Sequence, residues 1–82
     1  MDKDQITKKL QEVIFEEMPE IEGDIDMHAS MTKEYGVNSV SLIRLIVAIE
    51  EKFDVSFSDF ELALSDYDSF GDLAATVEEK LA

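Results

Sequence analysis

Ser39 is the residue best placed to do chemistry. It follows Gly36-Val37-Asn38 and heads a largely apolar helical stretch that continues to Phe53. Gly36 permits a positive-φ or close-packed turn that most residues resist. Asn38 is a good N-cap, because its side-chain oxygen can accept a hydrogen bond from a free N–H of the first helical turn. Ser39 then takes the first helical position, with its hydroxyl near the positive end of the helix dipole. Free N–H groups and the dipole both favour a negative group there, so this hydroxyl suits a phosphate ester.

The other chemistry-bearing residues form poorer patterns. Asp24 and Asp26 have calcium-loop spacing, but Ala29 and Tyr35 stand where that loop needs a glycine and a glutamate. His28 is the only histidine and the chain has no cysteine, which leaves a transition-metal site without its usual ligands. No local signature makes His28 a base for Ser39, and it reads as a solvated loop histidine. Without cysteine there is no thiol nucleophile and no disulfide framework. Any thioester chemistry must bring its sulfur on a prosthetic group.

The elements that position Ser39 follow from hydrophobic periodicity. The helix behind it has two apolar faces. At about 100° per residue, Leu42, Leu45, Ile46, Ile49 and Phe53 fall on one side, and Val40, Ile43 and Val47 roughly opposite, with Arg44 and Glu51 among them. One stripe is enough to hold a helix on a small core. The second must be covered by another helix, a ligand or a partner; in a chain this small a partner-facing surface is the expectation, since exposed apolar stripes mark interaction sites.

Asp4 to Met18 reads as a helix with Ile6, Leu10, Val13, Ile14 and Met18 inward, capped by Asp2 or Asp4 and ended by Pro19. Glu20 to Tyr35 is a long connection anchored by Ile25 and Met31, with a helical turn over Ser30 to Tyr35 and Tyr35 closing on the next helix. After the central helix, Val55 and Phe57 turn inward. Ser56 or Ser58 caps a short third helix from Asp59 to Leu64, with Phe60, Leu62 and Leu64 as its apolar content. Ser69 caps a last helix, Phe70 to Leu81, with Phe70, Leu73, Ala74, Val77 and Leu81 inward, Asp72 in the capping-box position and Gly71 a small cost in the first turn. No stretch has strand alternation.

The chain has 82 residues, enough for one small domain, here 1–82. It is 45% hydrophobic, too apolar for a disordered acidic tail. Twenty acidic and seven basic residues leave a net charge of −13, which argues against nucleic acid or an anionic membrane surface and for basic partner surfaces. The N-terminal residues lack a signal pattern, and the longest unbroken apolar run, Leu45 to Ile49, is far too short to span a bilayer. The sequence reads as a cytoplasmic monomer.

The pattern Gly36-Val37-Asn38-Ser39-Val40, followed by a helix ending Ile49-Glu50-Glu51-Lys52-Phe53, resembles the acyl carrier protein family. There the attachment signature is commonly Gly-x-Asp-Ser-Leu, before a helix ending near Glu-Glu-x-Phe. Phe57-Ser58-Asp59 is similar to the family's Ile-Pro-Asp, and the likeness extends over nearly the whole chain. It implies an all-α, four-helix acyl-carrier-like bundle with three longer helices, one short third helix and a long first loop. It further implies that a phosphopantetheinyl transferase loads 4′-phosphopantetheine covalently onto Ser39. The arm would hold an acyl group as a thioester for acyl-loading and acyl-transferring enzymes, with no catalysis by the chain itself. Asn38, Val40, Ile43, Arg44 and Val47 would meet those partners. Asn38 and Val40 depart from the family's Asp and Leu. Ser41 and Arg44 fall where fatty-acid carriers usually have acidic residues, which points to a specialised lipid, polyketide, nonribosomal peptide or cell-envelope pathway. Phe57, Phe60 and Tyr67 are expected to occupy the space where such proteins shelter an acyl chain. The alternative is a small acidic interaction module that uses Val40, Ile43 and Val47 without a prosthetic group.

Overall fold

The computed structural model describes residues 2–82. Its elements are α1 (Lys3–Glu17), α2 (Met31–Tyr35), α3 (Ser39–Phe53) and α4 (Phe70–Leu81), with two 3-10 turns, Asp59–Glu61 and Leu64–Asp66, between α3 and α4. No β-strand occurs among the described residues; one isolated antiparallel bridge pairs Ser30 with Ser69. The all-α bundle with three longer helices is the architecture expected from the sequence.

Each long helix begins at a side-chain cap. Asp2 and Gln5 form a reciprocal capping box on α1, with N–H to oxygen distances of 2.9 and 3.0 Å. Asn38 caps α3, and Ser69 with Asp72 forms a capping box on α4. Such caps typically stabilise by about 1 kcal/mol each, by satisfying N–H groups that have no intrahelical partner.

One core unites the elements. Ile6, Leu10, Val13 and Ile14 of α1 are buried against Leu42, Leu45, Ile46, Ile49 and Phe53 of α3, with Phe70, Leu73 and Val77 of α4. Lys52 at the end of α3 reaches Glu12 and Glu16 of α1 at 3.5 and 3.8 Å. These partly exposed pairs contribute little beside the apolar burial.

The long first connection is stitched to the start of α4. Ile21, Ile25 and Met31 are buried in the core. The Met31 N–H donates to the Asp68 carbonyl and the Gly71 N–H to the Met27 carbonyl, both at 2.8 Å. Tyr35 is half-buried against the common core. Its ring packs on Phe70 of α4 with centroids 5.3 Å apart, and its hydroxyl accepts the Asp26 N–H at 2.7 Å.

The segment after α3 also differs from expectation. The short third helix resolves into the two 3-10 turns, and Phe60 is 90% exposed, pointing out of the core it was expected to fill. Polar bonds hold this strap in place of apolar packing at Phe60. The Glu50 carboxylate accepts the Phe57 N–H at 2.9 Å, and the Tyr67 hydroxyl donates to the Glu61 carbonyl at 2.7 Å. Glu61 accepts from Lys80 and from the Ser58 N–H, each at 2.8 Å, while the Lys80 ammonium lies 4.8 Å from the Phe57 ring centre. Val55 and Phe57 are half-buried as expected and Tyr67 is buried, whereas Leu81, expected inward, is exposed because it is the last residue of α4.

Two predictions follow from these contacts. A Cβ on Gly71 would stand 2.8 Å from the Met27 carbonyl oxygen. Alanine is intrinsically better in a helix by about 1 kcal/mol. The backbone clash overrides that gain, so Gly71→Ala should lower stability by about 1–2 kcal/mol in urea denaturation. A stabilised variant would show that the loop yields freely. The Lys80 hydrogen bond, followed by that from the Ser58 N–H, lowers the Glu61 pKa from 4.5 to about 2. A depressed carboxyl pKa stabilises the fold above the unfolded-state value, and that contribution is lost as pH falls through the folded-state value. The destabilisation caused by Glu61→Gln should therefore be full at pH 7 and shrink between pH 4.5 and about 2, as followed by urea midpoints.

Candidate functional site

The turn that presents Ser39 is built from both sides. Gly36 closes α2 in the left-handed region at φ 67°, and its N–H donates to the Met31 carbonyl. The Val37 N–H donates to the same carbonyl at 3.1 Å, and the Val37 side chain is buried. With the backbone pinned before it and Leu42 buried just after it, the Asn38–Ser39 pair has little freedom.

Asn38 takes the whole capping duty. Its Oδ1 accepts the Ser41 N–H at 2.9 Å and the Ser41 hydroxyl at 3.1 Å. The Leu42 N–H donates to the Asn38 carbonyl at 2.9 Å, opening the regular helical ladder. Helix geometry leaves the Ser39 and Val40 N–H groups without intrahelical partners. Two serines thus stand at the head of α3 in different states. The Ser41 hydroxyl is tied to the cap, whereas the exposed Ser39 hydroxyl makes no hydrogen bond among the described residues. That division was not read from the sequence, although the Asn-x-x-Ser spacing carries it.

A serine hydroxyl is a weak nucleophile unless a base takes its proton. No base of this chain bonds to Ser39 among the described residues. His28 lies in a separate groove of about 480 Å³ between the start of α1 and α4, lined also by Lys3, Ile6, Met27, Asp72 and Glu78. The His28 backbone N–H donates to Asp26 Oδ1 at 2.9 Å, a local turn contact. Among the described residues no three histidine, aspartate or glutamate side chains converge as a metal ion would require. The geometry therefore offers an accessible alcohol at a helix N-terminus, suited to receiving and holding a phosphoester.

The two faces of α3 separate as its periodicity predicts. Leu42, Leu45, Ile46, Ile49 and Phe53 are buried, while Val40, Ile43 and Val47 are 65%, 46% and 49% exposed. Arg44 is exposed among them. Ser39, Asn38 and this open stripe form one continuous surface along α3.

The family described as "Phosphopantetheine attachment site" matches residues 8–77. An acyl carrier protein from Petrotoga mobilis is 32% identical over 62 residues, covering 76% of this chain and 73% of that protein. The chain belongs to the acyl carrier protein family of phosphopantetheine-bearing carrier proteins. Its prosthetic group is 4′-phosphopantetheine, and its role is that of a carrier that interacts with enzymes. No helix among the described residues is long and apolar enough to cross a membrane.

The cap itself is testable. Asn38→Ala removes the acceptor of two hydrogen bonds and should cost about 1 kcal/mol of stability in urea denaturation. Asn38→Asp should restore it. Equal stability of all three proteins would show that the cap is dispensable.

Proposed function

We propose that Ser39 is the attachment residue, and that residues 1–82 act as one carrier domain. The observation that carries this reading is the exposed Ser39 hydroxyl at the head of α3, left unengaged because Asn38 and Ser41 complete the cap. The N–H groups of Ser39 and Val40 and the dipole of a 15-residue helix favour a phosphodiester at that place. In loading, Ser39 Oγ would form a bond to the arm's phosphorus as the pyrophosphate bond of coenzyme A breaks, with adenosine 3′,5′-bisphosphate as the leaving group and the serine proton passing to a base supplied by the transferase. The arm contributes a terminal thiol that holds an acyl group as a thioester. The chain's own residues position the arm and present a surface for docking.

The docking surface proposed is Asn38, Val40, Ile43, Arg44 and Val47. Burying a Val or Ile side chain contributes about 1.5–3 kcal/mol, so three open ones along a helix are a ready source of contact energy. Arg44 and Ser41, with Asn38 and Val40, support a dedicated pathway over housekeeping fatty acid synthesis: a specialised lipid, polyketide, nonribosomal peptide or cell-envelope pathway in the cytoplasm. The open stripe would also serve a plain interaction module, which needs no Ser39.

Intact mass separates the two. Incubation with coenzyme A, magnesium and a broad-specificity phosphopantetheinyl transferase should add one phosphopantetheine to the wild type and none to Ser39→Ala. A folded, unmodified wild type that gains no mass with several transferases would overturn the carrier reading of Ser39 and favour the interaction module.

A further inference from the structure

Three of the seven cationic side chains are engaged within the fold. Lys52 pairs with Glu12 and Glu16, Lys80 pairs with Glu61, and Lys9 lies 5.7 Å from the Phe53 ring centre. Lys3, Lys8, Lys33 and Arg44 make no ion pair among the described residues, although the chain carries a net charge of −13, and of these four only Arg44 is on α3. It stands mid-way along the open stripe of α3 and borders two shallow depressions. One, toward the end of α1, is lined by Glu17, Met18, Glu20, Ser41 and Arg44. The other, of about 270 Å³, is lined by Ile43, Val47 and Ala48, with Arg44, Glu17 and Glu51 contributing its charges.

This second depression combines an apolar lining with both signs of charge. A uniformly basic surface, drawn in by the net charge, would place a like charge against Arg44 as the apolar contact closed. Like charges brought together across an interface are strongly disfavoured. A uniformly acidic surface would be repelled by the rest of the chain and by Glu17 and Glu51. Only a mixed surface satisfies every group.

Resting on the reading that enzymes dock beside Ser39, we propose that this depression is the socket for a partner-enzyme helix of defined chemistry. That helix brings one large apolar side chain onto Ile43, Val47 and Ala48, a carboxylate to Arg44, and cations to Glu17 and Glu51. Arg44 is then the specificity-determining residue of the surface: it selects acid-bearing partners and rejects purely basic ones. A helix is the fitting occupant because side-chain ridges of one helix seat in the grooves of another.

Two synthetic helical peptides test this. Both carry a leucine to fill the depression and lysines at the periphery. One has a glutamate beside the leucine, and the other has lysine at that position. Net charge alone favours the all-lysine peptide on this acidic protein. The inference predicts the opposite order, with the glutamate peptide binding about tenfold more tightly in NMR titrations and shifting the amides of Val40, Ile43, Val47 and Glu51. Arg44→Glu, an exposed position whose fold is checked by circular dichroism, should reverse the order. Equal affinities, tighter binding of the all-lysine peptide to the wild type, no binding of either, or shifts confined to other helices would overturn the inference. Loading of Ser39 is read separately by mass. A protein that loads but lacks the preference refutes the socket alone, and one that shows the preference without loading refutes only the reading of Ser39.

Discussion

The structure depends on the burial of one face of α3. Leu42, Leu45, Ile46, Ile49 and Phe53 supply the centre of a core to which α1, α4 and the first connection all contribute. At about 1.5–3 kcal/mol for each large apolar side chain removed from water, no other single element contributes as much continuous burial. A domain of 82 residues has enough covering elements for that face and not for the opposite one. Val40, Ile43 and Val47 stay open as a consequence. The same constraint that makes the fold stable leaves a sticky surface running away from Ser39.

Presentation of Ser39 is a matter of restraint around it. Val37 is buried and its N–H is bonded to Met31, Asn38 spends its side chain on Ser41, and Leu42 is locked in the core. Every neighbour has a structural task, and the Ser39 hydroxyl has none. A carrier needs this economy, because a hydroxyl engaged in capping would have to be released before modification. The chain supplies position and a favourable dipole. In the proposed reading the base would come from an enzyme that docks, and the open stripe would then be part of the function.

The strap between α3 and α4 follows a different logic. Its 3-10 turns bury little, and Phe60 stands in solvent. Directed polar contacts fasten it instead: Glu50 to Phe57, Glu61 to Lys80 and Ser58, Tyr67 to Glu61. Of the three large residues expected to occupy the space behind the strap, Tyr67 is buried and Phe57 half-buried, and Phe60 is outside. The first connection is fastened in a similar way to the head of α4, through Met27 and Gly71, Met31 and Asp68, and Tyr35 on Phe70.

Much of this was legible in the residues because its causes are local. The bounds of α3 and α4, those of α1 to within one residue, the caps at Asn38 and Ser69, the end of α1 before Pro19, and the two faces of α3 each follow from periodicity or from hydrogen bonds spanning three or four residues, while the choice of Asp2 over Asp4 as the cap of α1 was left to the structure. The place of Ser39 at the head of α3 belongs to the same class. What depended on distant parts of the chain was not legible. The path of the backbone put Tyr35 against Phe70, turned Phe60 outward, and brought the Met27 carbonyl so close to Gly71 that a residue read as a mild helix weakness is a packing requirement. Likewise, the sequence by itself determined that Arg44 lies on the open face of α3. Only the tertiary structure decided that Glu17, from another helix, stands beside it, because periodicity assigns residues to the faces of one helix and cannot bring two helices together.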